Sequence, residues 1–166
     1  MARNVLFLIG VGSIGWAMLC LFAGSFMPDW MGLSGTHHGE LYIESFSINV
    51  GMWTALGVFA ILGAAFQRVR LAAALAFVVV VSGIAGGRIV ALAQGAAGEA
   101  YTIIALGLEI ALVVAAAAAY VSEKARLSRE ARELKKAEKA ALEAALAAEH
   151  PESAEVAPPP SPVQRP

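Results

Sequence analysis

Charge is scarce in this chain and unevenly spread. Asp, Glu, Lys and Arg make up 15% of the 166 residues, where a soluble domain carries about a quarter, and most of them lie after Val121. Cysteine is scarcer still. Cys20 stands alone in an apolar run, which excludes an internal disulfide framework and any CxxC redox or metal spacing and leaves it to pack as a small apolar side chain. No histidine falls inside an apolar run, where it could serve as an axial haem ligand. Walker loop, dinucleotide fingerprint and nucleophile elbow are all missing, so no catalytic machinery and no cofactor is expected. With a net charge of -1 and no interleaving of basic and aromatic residues, nucleic-acid binding has no support either.

What is abundant is apolar surface, at 58% hydrophobic residues and a mean hydropathy of +0.68. It falls into four runs, 4–26, 45–66, 71–94 and 101–121. The first two hold no charge, the third holds only Arg88 and the fourth only Glu109. Each run is close to the roughly 20 residues that carry a helix across about 30 Å of hydrocarbon. The expected fold is therefore an all-α integral membrane protein with four transmembrane helices in an up-down bundle over residues 1–121. A charged cytoplasmic helix over 122–149 and a disordered Pro-rich tail over 150–166 are expected to follow it.

Basic residues set the orientation. Arg3 precedes the first run, Arg68 and Arg70 sit in a QRVR turn between the second and third, and Lys124, Arg126, Arg129 and Arg132 follow the fourth. The connector 27–44 and the one between the third and fourth runs contain no Lys or Arg. By the positive-inside rule both termini are expected in the cytoplasm, with Trp30, Tyr42 and Tyr101 near the outer interface. The setting is expected to be a bacterial inner membrane. The apolar run after Arg3 is longer than the roughly 7 to 15 residues of a signal-peptide core, so the first helix is expected to stay as an anchor.

The two lone charges are the chief candidate site. Arg88 lies about 9 Å inside the outer boundary and Glu109 about 12 Å inside it, at 1.5 Å per residue on helices running in opposite directions. A charge at that depth costs roughly 2.5 to 3.5 kcal/mol on insertion scales unless it finds a partner or water. Pairing is the cheapest solution open to them. Gly83 and Gly87 form a GxxxG ridge expected to let the helices approach, and Asn49 and Thr102 could add polar contacts. Two readings follow: a structural Arg88–Glu109 pair that fixes helix register, or an outer cavity in which Arg88 anchors an anionic solute or lipid headgroup and Glu109 is its counter-charge or carries a proton.

The segment Glu44 to Met52 (ESFSINVGM), with Gly57, Gly87-Arg88, Gly95 and Glu109-Ile110, resembles the four-helix bacterial membrane family catalogued as domain of unknown function 4345, over roughly residues 5 to 121. In that family the second helix opens with an acidic residue, then an arginine and a Tyr-Gly-Gly step. Glu44, Ile48 and Gly51 match this pattern, Phe46 stands at the arginine position, and Asn49 and Val50 replace the Tyr-Gly pair. The resemblance implies a fold and a membrane location and no reaction.

Two segments remain. The outer connector carries His37, His38 and Glu40, ligand types suited to zinc but without HxxxH or HExxH spacing, so they are weak metal candidates for a lesser, metal-dependent enzyme reading. After Val121 the chain is rich in strong helix formers. Between Lys124 and Lys139 it holds seven basic and three acidic residues, a segment attracted to anionic headgroups of the bilayer. Leu127, Leu134, Ala141 and Ala148 repeat at seven, interrupted by Glu130 and Glu138, which leaves a homo-oligomer through this helix open beside a single helix. Beyond His150 the prolines end it.

Overall fold

The first apolar run forms α1, Ala2–Phe22, in a computed structural model that describes residues 1–22, 40–95 and 100–149. Its buried residues Ala2, Leu6, Ile9, Gly10, Ser13, Ala17 and Cys20 return every three or four positions, the stripe of a helix that packs along one side. The other side exposes Phe7, Leu8, Val11 and Leu19. In water such a surface would be prohibitive; in hydrocarbon it is the solvated face, because lipid tails are as apolar as leucine.

The second run is interrupted. α2 covers Glu40–Phe46, a π-helical segment covers Ser47–Met52, and α3 covers Trp53–Ala65. Side chains explain where the ladder widens. Ser47 Oγ donates to the Ile43 carbonyl at 2.8 Å and Asn49 Nδ2 to the Ser45 carbonyl at 2.9 Å, so two carbonyls gain side-chain donors that compete with backbone N–H groups. α4 then runs Gln67–Ala93. The turn between α3 and α4 is tighter than the QRVR sequence suggests: Phe66 alone is extended, at φ -111 and ψ 116, and QRVR is already the first turn of α4. Small residues permit this. A Cβ on Gly63 would stand 2.6 Å from the Ala73 Cβ, so the two helices touch where their side chains are smallest. α5 is a single helix, Ala100–Glu149, because nothing in the Ala-, Leu-, Glu- and Lys-rich sequence after Val121 stops it.

Among the described residues the elements are all helical, and four helical stretches, Ala2–Phe22, Ile43–Ala65, Gln67–Ala93 and Ala100–Leu146, contain windows long and apolar enough to cross a membrane. The chain divides into two compact units, Met1–Ala125 and Arg126–Pro166. In the first, the core draws Leu6, Ile9 and Ala17 from α1, Trp53, Leu56 and Ala60 from α3, Ala73, Phe77 and Val81 from α4, and Ala116 and Ala119 from α5. Alanine dominates, and Phe77, Leu6 and Val81 are the largest side chains fully enclosed. α1 and α3 also meet closely, here with backbone facing backbone. A Cβ on Gly10 would lie 2.8 Å from the Gly57 carbonyl oxygen, and one on Gly57 would lie 2.9 Å from that of Gly10.

The second unit is exposed along 127–146. Its helix carries surface pairs Arg126–Glu130 at 2.9 Å, Glu133–Lys136 at 3.1 Å and Lys139–Glu143 at 3.6 Å. Each such pair stabilises a helix by about 0.2 to 0.5 kcal/mol.

Candidate functional site

The site grows from two glutamates on α5 and two arginines on α4. Arg88, near the carboxyl end of α4, places Nε 2.9 Å from Glu109 Oε1. The Arg88 side chain is 25% exposed and that of Glu109 only 5%. Tyr101, one face of α5 toward its start, is buried and lies beneath the same guanidinium, 5.4 Å from ring centroid to Cζ. A cation over an aromatic face gains an electrostatic attraction that strengthens as water is removed. Tyr101, expected near the outer interface, stands in the first turn of α5 and forms part of the charged cluster.

A second interhelical pair closes the other end. Arg70 Nη1 lies 3.3 Å from Glu123 Oε1, with the two side chains 13% and 4% exposed. Arg70 also donates from Nε to the Gly63 carbonyl at 3.0 Å and from Nη2 to the Ala64 carbonyl at 3.3 Å. One planar fork thus serves a buried carboxylate and two carbonyls from the last turn of α3, which have no partners further along that helix. Arg70 and Arg88 are eighteen positions apart on α4, about 27 Å of helix. The order of the two pairs makes α4 and α5 antiparallel and ties them at both ends.

The Arg70–Glu123 pair is not evident in the sequence, where Arg70 reads only as a topology marker. A usable signal existed: eighteen residues forward along α5 from Glu109 is Leu127, one helical turn past Glu123. An antiparallel register anchored at Arg88–Glu109 therefore brings Arg70 to the turn that holds Glu123.

The other candidates are distributed differently. Asn49 is buried, but it serves α1: it accepts from Trp16 Nε1 at 3.1 Å while its own amide is held by Ser45. Glu44 and Gly51 are exposed and Thr102 is half-buried. The expected GxxxG contact is corrected. Gly83 and Gly87 are exposed, and a Cβ at either would meet nothing within 4 Å; the side chains of Arg88 and Glu109, long enough to span a wider gap, join the helices there. His37 and His38 lie outside the described residues, and Glu40 opens α2. Among the described residues no three metal-ligating side chains cluster.

Beside the pair lies a cavity of about 280 Å³ between α1, α3 and α5. Leu8, Ile9, Ile104, Leu108 and Leu112 make its walls apolar, Trp16 and Trp53 add indole faces, and Glu109 lines it from the α5 side; it opens to the lipid-facing surface along the exposed Leu8, Ile104 and Leu108. Ser13 also lines it, with its hydroxyl committed to the Ile9 carbonyl at 2.8 Å. The second oxygen of Glu109, Oε2, is buried without a hydrogen-bond partner. That combination is unexpected, since a buried carboxylate oxygen ordinarily finds a donor. A wider hollow of about 720 Å³ is lined by Arg3 from α1 and Arg70 from α4. No protein-family model, curated protein or solved structure matches the chain.

Proposed function

We propose that the chain is a non-enzymatic, multi-pass membrane protein, an up-down four-helix bundle in which Arg88 and Glu109 act as a structural clamp between α4 and α5. The observation that carries this reading is the 2.9 Å contact between two side chains largely withdrawn from solvent. Removing one partner of such a pair strands a charge in a medium of low dielectric constant. The Arg70–Glu123 pair supports the same reading, since a single clamp fixes a point of contact and two fix a register.

Both termini are proposed to be cytoplasmic and the membrane a bacterial inner membrane. The hollow shared by Arg3 and Arg70 supports the orientation, because it gathers basic residues of α1 and α4 at one end. The segment Lys124 to Lys139 then meets anionic headgroups, and the seven-residue repeat of Leu127, Leu134, Ala141 and Ala148, with both leucines exposed, offers a seam for a second copy. The proposed family remains the one catalogued as domain of unknown function 4345, on Glu44, Gly51, Gly87-Arg88 and Glu109.

A second reading rests on the part of Arg88 left exposed. Its Nε donates to Glu109 Oε1 and its face lies over the Tyr101 ring, and its further N–H groups are the donors that an anionic solute or lipid phosphate would take. A double-mutant cycle on Arg88→Leu and Glu109→Leu in nanodiscs separates the two. The clamp requires each single change to lower stability by about 3 kcal/mol and the double change to restore most of it. Folded single mutants with little coupling would mean that the charges are already hydrated, and would favour the anion site.

A further inference from the structure

We propose that the cavity between α1 and α5 binds a neutral hydroxyaromatic molecule, whose O–H donates to Glu109 Oε2 and whose ring lies among Trp16, Trp53 and Tyr101. The clamp reading does not imply this. It rests on the glutamate oxygen that the clamp leaves unused.

Three observations choose the ligand chemistry. First, Oε2 is buried, unpartnered and on the residue that lines the cavity, so this oxygen lacks a donor. Water is a poor donor here. A buried water needs two to four polar partners, while the Ser13 hydroxyl is already given to Ile9 and the walls are mainly leucine and isoleucine. Second, the Glu109 charge is already matched by Arg88. A bound ammonium would add an uncompensated charge within hydrocarbon, and a bound carboxylate or phosphate would face Oε2 directly. A neutral donor satisfies the oxygen and leaves the charge balance unchanged. Third, indole and phenol walls favour an aromatic body through offset or edge-to-face contact. Size sets the scale: a cavity of about 150 Å³ accepts benzene, so one of about 280 Å³ holds about eleven non-hydrogen atoms by proportion.

The test uses the full-length chain in nanodiscs, with empty nanodiscs as the blank for partitioning, and four probes of one shape: 4-propylphenol, propylbenzene, 4-propylbenzoate and 4-propylbenzylammonium. Calorimetric titration is expected to show saturable binding of 4-propylphenol, about tenfold or more tighter than of the other three, as a hydrogen bond to a charged acceptor implies. Gly12→Leu is expected to abolish it. Gly12 lines the cavity and a Cβ there meets nothing within 4 Å, so this variant fills the space from α1 and leaves both members of the ion pair in the sequence. Should it fail to fold by circular dichroism, Ala105→Phe fills the same cavity from α5.

Equal affinity for propylbenzene would overturn the proposal in favour of a plain apolar slot that an acyl chain could occupy. Preference for the benzoate would overturn it in favour of anion binding at Arg88, and preference for the ammonium in favour of a cation site. No saturable binding, or binding unchanged in the filled variant, would also reject it. Apart from the benzoate outcome, which would favour the anion site over the clamp, these results leave the clamp to be tested separately by the Arg88–Glu109 cycle.

Discussion

Arg88 holds Glu109 by one oxygen and leaves the other free. Nε meets Oε1 at 2.9 Å while Oε2 is buried without a donor. At the opposite end of the same two helices Arg70 takes three acceptors, Glu123 Oε1 and the carbonyls of Gly63 and Ala64. The two pairs have the same chemistry and different degrees of satisfaction. A site with spare hydrogen-bonding capacity can take a ligand, whereas one already filled can only hold the fold.

Arg70 is therefore expected to matter more to stability than Arg88. Arg70→Leu takes an ion-pair partner from a nearly enclosed glutamate and releases two carbonyls, and is expected to cost about 3 to 5 kcal/mol. Arg70→Lys should recover only part of this, because an ammonium on a flexible stem cannot reproduce the fork. Denaturant titration in detergent micelles measures both; full recovery by lysine would reject the three-acceptor account.

The glycines divide into two groups with opposite expectations. Gly10→Ala and Gly57→Ala put a Cβ against the facing backbone oxygen and an isoleucine side chain, at 2.7 to 2.9 Å, and each is expected to cost about 1 to 3 kcal/mol by forcing α1 and α3 apart. Gly83→Ala and Gly87→Ala meet open space and are expected to be neutral, or to stabilise by up to about 1 kcal/mol from helix propensity. Comparing the four thermal midpoints decides whether close packing resides between α1 and α3 or on the Gly83–Gly87 ridge.

Trp16 and Asn49 provide a polar link of a different sort. Their 3.1 Å hydrogen bond joins α1 to the π-helical segment. A cycle on Trp16→Phe and Asn49→Leu is expected to give a coupling of about 0.6 to 2 kcal/mol, the range for interhelical hydrogen bonds in lipid. A coupling near zero would mean that the π-helical segment is held by Ser47 and Ser45 alone.

The segment Lys124 to Lys139 is expected to bind vesicles containing anionic lipid and to ignore zwitterionic ones. Affinity should fall steeply as salt is raised, since the attraction is screened beyond about 10 Å at 0.1 M. Tail-peptide flotation with the two vesicle types measures it. Salt-independent binding would point to the exposed leucines instead.

By itself the sequence determined everything that depends on composition along one strand of chain. Four runs of apolar residues set the number and length of the helices able to cross a membrane, and the helix-forming residues after Val121 carried α5 through to Glu149 without a break. Arg88 and Glu109 were legible as a pair because an isolated charge in a greasy run demands an explanation, and depth can be counted at 1.5 Å per residue. Depth is one coordinate out of three. Which face of a helix meets which neighbour depends on side-chain volumes on two helices at once. The Gly10–Gly57 approach, the Trp16–Asn49 bond and the α1–α5 cavity therefore appeared only with the tertiary structure. So did the silence of Gly83 and Gly87: a GxxxG spacing permits close packing, but a helix joined to its neighbour through a long arginine and a glutamate has no need of it.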